Sequence, residues 1–122
     1  MSDKDIETEI QAKGLTAPRV TPQHIEGLIR SEVYFTAIDG ASAPSAVIKS
    51  EYVEGERILA PLDTLTFCVL VLRNGFTVTG ESACASPENF DPEIGRKIAR
   101  ENAVNKIWML EGYLLKQKLS EQ

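Results

Sequence analysis

The stretch LTFCVLVLRNGFTVTGESA, Leu65–Ala83, decides the fold. Its first half, Leu65–Leu72, is apolar at nearly every position, which predicts a strand covered on both faces. Asn74-Gly75 follows directly. An Asn-Gly pair between two β runs predicts a hairpin closed by a type I′ turn, because both central residues of that turn need φ > 0. In the return run Phe76, Val78 and Gly80 face one way and Thr77, Thr79 and Glu81 the other. A glycine inside a strand marks a bulge or a close approach of another backbone, so Gly80 is the position to watch.

Downstream, Asp91 suits a helix N-cap, Pro92 the first helical position and Glu93 the positive end of the dipole. A helix over Pro92–Leu119 would be about 42 Å long. At about 100° per residue, Ile94, Ile98, Trp108, Met109, Leu115 and Leu119 share one stripe, which also takes in Glu101, Asn105 and Gly112, with Asn102 at its edge. From Val104 to Leu115 apolar residues (Ile107, Leu110, Leu114) occur on the opposite side as well. A helix apolar all round needs cover all round, and a three-strand sheet covers one side. This predicts a homo-oligomer with Asn105, Trp108, Gly112 and Leu115 at the interface. An interior Asn can set register there, and Gly112 would admit a close neighbour.

Upstream, residues 3–13 suit a short helix capped by Ser2, with Ile6 and Ile10 one turn apart. Gly14 stops it and Pro18 prevents its continuation. Thr21 and Pro22 start a second helix with Ile25, Leu28 and Ile29 on one face and His24 beside it. Glu32–Ile38, EVYFTAI, has strand composition. Residues 39–63 are the least regular: DGASAPSA reads as loop, and VIKSEYVEGERIL as a short hairpin turning at Glu54-Gly55. The fold class is therefore α+β, a small antiparallel sheet with the Asn-Gly hairpin, packed by a long C-terminal helix and a short N-terminal helix. Residues 1–20 form an arm and linker, and 21–122 one domain.

The chain has 122 residues, 13 basic and 18 acidic, for a net charge of −5. That balance argues against duplex binding, which asks for a basic face. The N-terminus lacks the apolar core of a signal peptide and no run reaches a membrane span, so the expected location is the cytoplasm. Cys68 and Cys84 are sixteen positions apart and read as free thiols. A metal site is not expected from one His and two distant thiols, and no cofactor is expected.

A phosphate loop, a dinucleotide fingerprint and a nucleophile elbow are all absent from the sequence, and Cys84 has no His near it, so no catalytic residue is assigned. Anion binding is the better reading. Arg96 and Arg100 follow the helix start, and Arg73 and Asn74 sit at the hairpin tip. Guanidinium groups there would suit phosphates, which makes Arg73, Asn74, Arg96 and Arg100 the candidate ligand residues. The bland alternative is a solvated basic face. Tyr34, Tyr52, Phe90 and Trp108 could stack a base or serve as ordinary core aromatics.

One combination is more specific. Thr66-Phe67-Cys68, Asn74-Gly75-Phe76, Gly80-Glu81-Ser82, Asn89-Phe90-Asp91, Ile94-Gly95, Glu101-Asn102-Ala103, Ile107-Trp108 and Glu111-Gly112-Tyr113 occur in that order, preceded by TPQHIEGLI. The series, over roughly residues 20–118, resembles the small tailed-phage proteins of the phage gene-product-forty-nine family. The resemblance implies a phage or prophage origin and no mechanism, since the family carries no assigned function. The expectation is a non-enzymatic phage accessory protein: an oligomer that sequesters a small nucleotide signal of host defence, or an interaction module for a host or phage protein.

Overall fold

The computed structural model describes residues 2–15 and 17–122. Met1 and Thr16, in the expected arm and linker, lie outside the described residues. The elements are α1 (Asp3–Ala12), α2 (Pro22–Leu28), β1 (Ile29–Thr36), α3 (Ala37–Ala41), β2 (Leu65–Leu72), β3 (Thr77–Ala83) and α4 (Pro92–Ser120), with 3-10 turns at Ala60–Thr64 and Pro87–Asn89. The three strands form an antiparallel sheet in the order β1-β2-β3, and α4 packs across it. The fold is α+β, as the sequence implies.

The start signals act as read. Ser2 and Asp5 form a reciprocal capping box on α1, Thr21 caps α2, and the Asp91 carboxylate accepts from the amides of Glu93 and Ile94 at 2.9 and 3.2 Å. Gly14 ends the first helix with φ 67°. The boundary between α2 and β1 falls earlier than expected. Ile29, placed on the helix face by its spacing, begins the strand. The strand also stops early, at Thr36. The Thr36 hydroxyl accepts from Asp39 N–H and the Asp39 carboxylate from Thr36 N–H, a capping box that turns Ala37–Ala41 into α3 instead of strand and loop. The hairpin expected at Glu54-Gly55 is absent. A turn is there, with Gly55 at φ 78° and Glu56 N–H on Val53 O at 3.0 Å, but its flanks form no strands among the described residues.

The Asn74-Gly75 hairpin forms, but its turn is not type I′. Gly75 alone has a positive φ, 88°. Leu72 N–H donates to Phe76 O at 2.8 Å and Gly75 N–H to Leu72 O at 2.9 Å, which encloses the three-residue loop Arg73-Asn74-Gly75. Asn74 serves through its side chain: Oδ1 accepts from Phe76 N–H at 2.9 Å, so its backbone need not enter the left-handed region.

Burial alternates along β2. Thr66, Cys68, Leu70 and Leu72 are buried under α4, while Leu65, Phe67, Val69 and Val71 are half-buried on the other face. The expected cover on both faces is therefore not met within one chain. Val33 and Phe35 of β1 stand beside Val69 and Phe67 on that second face, and the two phenylalanine rings stack with centroids 5.6 Å apart.

The stripe by which α4 meets the sheet is not the one its large residues suggest. The buried residues are Gly95, Ala99, Ala103, Val104 and Ile107, whereas Ile94 and Ile98 are exposed, as are Glu101 and Asn105. The reason is Gly80. A Cβ built on Gly80 would lie 2.1 Å from Ala99 O and 2.4 Å from Ala103 N, so helix backbone sits directly on strand backbone. Only a ridge of Gly and Ala allows that approach. Ile25, Leu70 and Ile107 complete the core beside it. Gly80→Ala is expected to lower unfolding free energy by about 3 kcal/mol, at the upper end for overpacking. Urea denaturation checks this, and a loss below about 1 kcal/mol would mean that the helix can lift away without cost.

Candidate functional site

The four candidate ligand residues lie at two ends of the sheet. Arg73 and Asn74 occupy the hairpin tip, where Arg73 Nε donates to Gly27 O at 2.6 Å and Asn74 closes the turn. Gly95 packs on Thr66 at the opposite end of β2, which puts Arg96 roughly 20 Å from Arg73 at ~3.3 Å per strand residue. Arg100 is committed elsewhere. Its Nε donates to Glu32 Oε1 at 2.6 Å, and its two terminal nitrogens donate to Glu26 at 3.1 and 2.7 Å. The set therefore does not converge on one ligand within a chain, and Arg100 holds α2 and β1 to α4. Arg96 has no hydrogen-bond partner among the described residues.

Tyr34 extends the Arg100 network by donating its hydroxyl to Glu32 Oε1 at 2.8 Å. The Arg100 guanidinium, then the Tyr34 hydroxyl, hold the Glu32 carboxyl below its ordinary range. Burial, then the bond to Glu32, pushes the Tyr34 phenol up. The hydrogen bonds to Glu26 and Glu32 raise Arg100 despite partial burial. Such a network closes through residues 68 and 74 positions apart, which no local pattern in the sequence reveals.

The residues expected at an oligomer interface also divide. Asn105 and Gly112 are exposed on the outer side of α4, and a Cβ on Gly112 would meet nothing within 4 Å in its own chain. Trp108 turns toward the N-terminal arm, where its indole Nε1 donates to Asp3 Oδ2 at 3.0 Å. Leu115 is half-buried near Val20 and His24, and His24 Nε2 meets Glu111 Oε1 at 2.6 Å.

The exposed apolar surface of α4 is larger than that set and lies elsewhere. Met109 is 70% exposed, Tyr113 75%, Leu114 45% and Leu110 37%. The buried ridge Ala103 and Ile107 continues at alternating spacings of four and three to Leu110 and Leu114. The ridge is the same, but the sheet beneath it has ended. Strands of seven or eight residues span about 25 Å, while the 29-residue helix runs about 43 Å. The C-terminal third of α4 overhangs. Reading the spacing against strand length would have shown this from the sequence.

With this architecture in view, comparison with known families is decisive over residues 20–119, which match the phage protein family described by N4 Gp49 and phage Sf6 gene 66. The chain belongs to that family. The matched span takes in α2, the sheet and almost all of α4, and leaves α1 outside. No curated protein and no solved structure matches the chain. Gp49/gene 66 membership brings a phage connection and no assigned activity. Among the described residues of this family member, Cys68 and Cys84 are free thiols, no cluster of His, Cys, Asp and Glu is placed to hold a metal, and no helix is long and apolar enough to cross a membrane.

Glu32 has a depressed carboxyl, so the stability it contributes is present above its ordinary value of 4.5 and disappears as pH falls through the depressed value. Glu32→Gln should be less stable than the unaltered chain at pH 7 by about 1 kcal/mol or less, because the pair is part-exposed. That gap should close as pH falls below 4.5 in denaturant titrations. A gap that persists unchanged into acid would show that the Glu32 charge contributes nothing.

Proposed function

We propose that the chain is a non-enzymatic phage accessory protein that works as a homo-oligomeric binder, its copies joined through the overhang of α4. The observation that carries this reading is the part-exposed continuation of the core ridge at Leu110 and Leu114, beside the more exposed Met109 and Tyr113. A four-three spacing of apolar residues on a helix suits pairing with another helix. A second copy offers the same surface, and two-fold pairing is the commonest way for a self-complementary patch to be hidden. Gly112 and Asn105 lie on the outer side of α4, away from this ridge, and take no part in the pairing.

Sequestration of a small nucleotide, the finer form of this reading, would require a site built between copies. Within a chain Arg73 and Arg96 are at opposite ends of the sheet, and Arg100 already holds two carboxylates. Binding of a host or phage protein through the same overhang is the alternative.

Sedimentation equilibrium tests the proposal. At about 100 µM, where a micromolar dimer is saturated, the mass should be at least twice the 13.4 kDa of one chain. Leu110→Asp with Leu114→Asp should return it to one chain with little loss of melting temperature, because both side chains are already part-exposed. A chain that stays monomeric at that concentration overturns the oligomer and leaves the overhang to a different protein.

A further inference from the structure

At the N-terminal end of α4 a cavity of about 170 Å³ opens between the helix, β1 and β2. Thr66 is 3% exposed, and its Oγ1 has no hydrogen-bond partner among the described residues. Buried hydroxyls are rarely left so, and each one asks what it faces. Thr66 lines this cavity, together with the partnerless Arg96 and the rings of Tyr34 and Phe90. Gly95 keeps the wall open: a Cβ there would come to 2.9 Å from Thr66 Oγ1 and 3.6 Å from the Phe90 ring.

The chemistry of an occupant follows from what is free and what is taken. The start of α4 offers no amide, because Asp91 takes the N–H groups of Glu93 and Ile94 through its side chain and that of Gly95 through its carbonyl. The Tyr34 hydroxyl is given to Glu32. What is left among the described residues is one cation, Arg96, and the hydroxyl protons of Thr66 and Thr36, against aromatic walls. Asp39 also lines the cavity, its carboxylate tied to Thr36 N–H at 2.9 Å, and its charge offsets that of Arg96 and opposes a dianion more strongly than a monoanion. The volume is near that of an engineered 150 Å³ cavity that accommodates benzene. We infer that this cavity is a binding site for a small monocarboxylate carried on a body of about one ring, its carboxylate held by Arg96 and the Thr66 hydroxyl.

The site is separate from the α4 overhang, so it stands or falls independently of self-association. The test is an amide NMR titration of the intact protein with sodium benzoate to about 10 mM, tenfold above a millimolar dissociation constant. Saturable shifts at Thr66, Gly95 and Arg96 are expected, with benzyl alcohol and phenyl phosphate both binding more weakly. Arg96→Gln should weaken benzoate about tenfold, the scale of a lost charge-assisted hydrogen bond, without changing the melting temperature. Thr66→Val should raise the melting temperature, since it removes the unpaired hydroxyl, and yet weaken benzoate. That opposition separates a ligand group from a packing residue. The inference is overturned by no saturable shift at these residues, by benzyl alcohol or phenyl phosphate matching benzoate, or by unaltered affinity in either variant.

Discussion

The backbone of α4 rests on the backbone of β3, with Gly80 against Ala99 and Ala103 and no side chain between them. Close-packed interiors do not absorb an extra methyl without movement. From this contact the rest of the arrangement follows. A helix seated so low must present its smallest residues inward, so Gly95, Ala99 and Ala103 face the sheet and Ile94 and Ile98 look out. The low seat also places Arg100 at the side of the sheet, where Glu26 and Glu32 reach it, and sets Gly95 on Thr66 at the far end.

Much of the fold is legible because its signals are local. Asp91-Pro92 marks the start of α4, Ser2 that of α1, Thr21-Pro22 that of α2, and the glycine inside β3 marks the helix approach. The inward stripe of α4 was misread because hydrophobic periodicity weights large residues, while a backbone-to-backbone contact selects small ones. The strand end at Thr36 was missed because composition favoured β structure, although the Thr36-x-x-Asp39 spacing was present. The candidate ligand set fails as a group for a different reason. A row of arginines announces positive charge, but the carboxylates that claim it lie in α2 and β1, and only the tertiary fold brings them together. Of that set, Arg96 lines a cavity with a guanidinium that has no partner among the described residues.

Among the apolar surfaces that the described residues leave exposed are the outer face of the sheet around Phe35 and Phe67 and the overhang of α4. They differ in character. The sheet face is ringed by half-buried side chains and broken by the polar residues Thr79 and Glu81 of β3. The overhang is a continuous ridge on a rigid helix, exposed on a spacing suited to another helix. The same family membership spans both, and α1 lies outside the matched residues.

What α1 does touch is the single tryptophan. Trp108 is shielded on one side by the arm and bonded through its indole to Asp3, not sealed in the core under the sheet. Intrinsic emission from this chain therefore reports the lodging of its first ten or so residues. A red-shifted spectrum would announce a detached arm on a body that is still folded, and an optical melting curve would record the arm before it recorded the core.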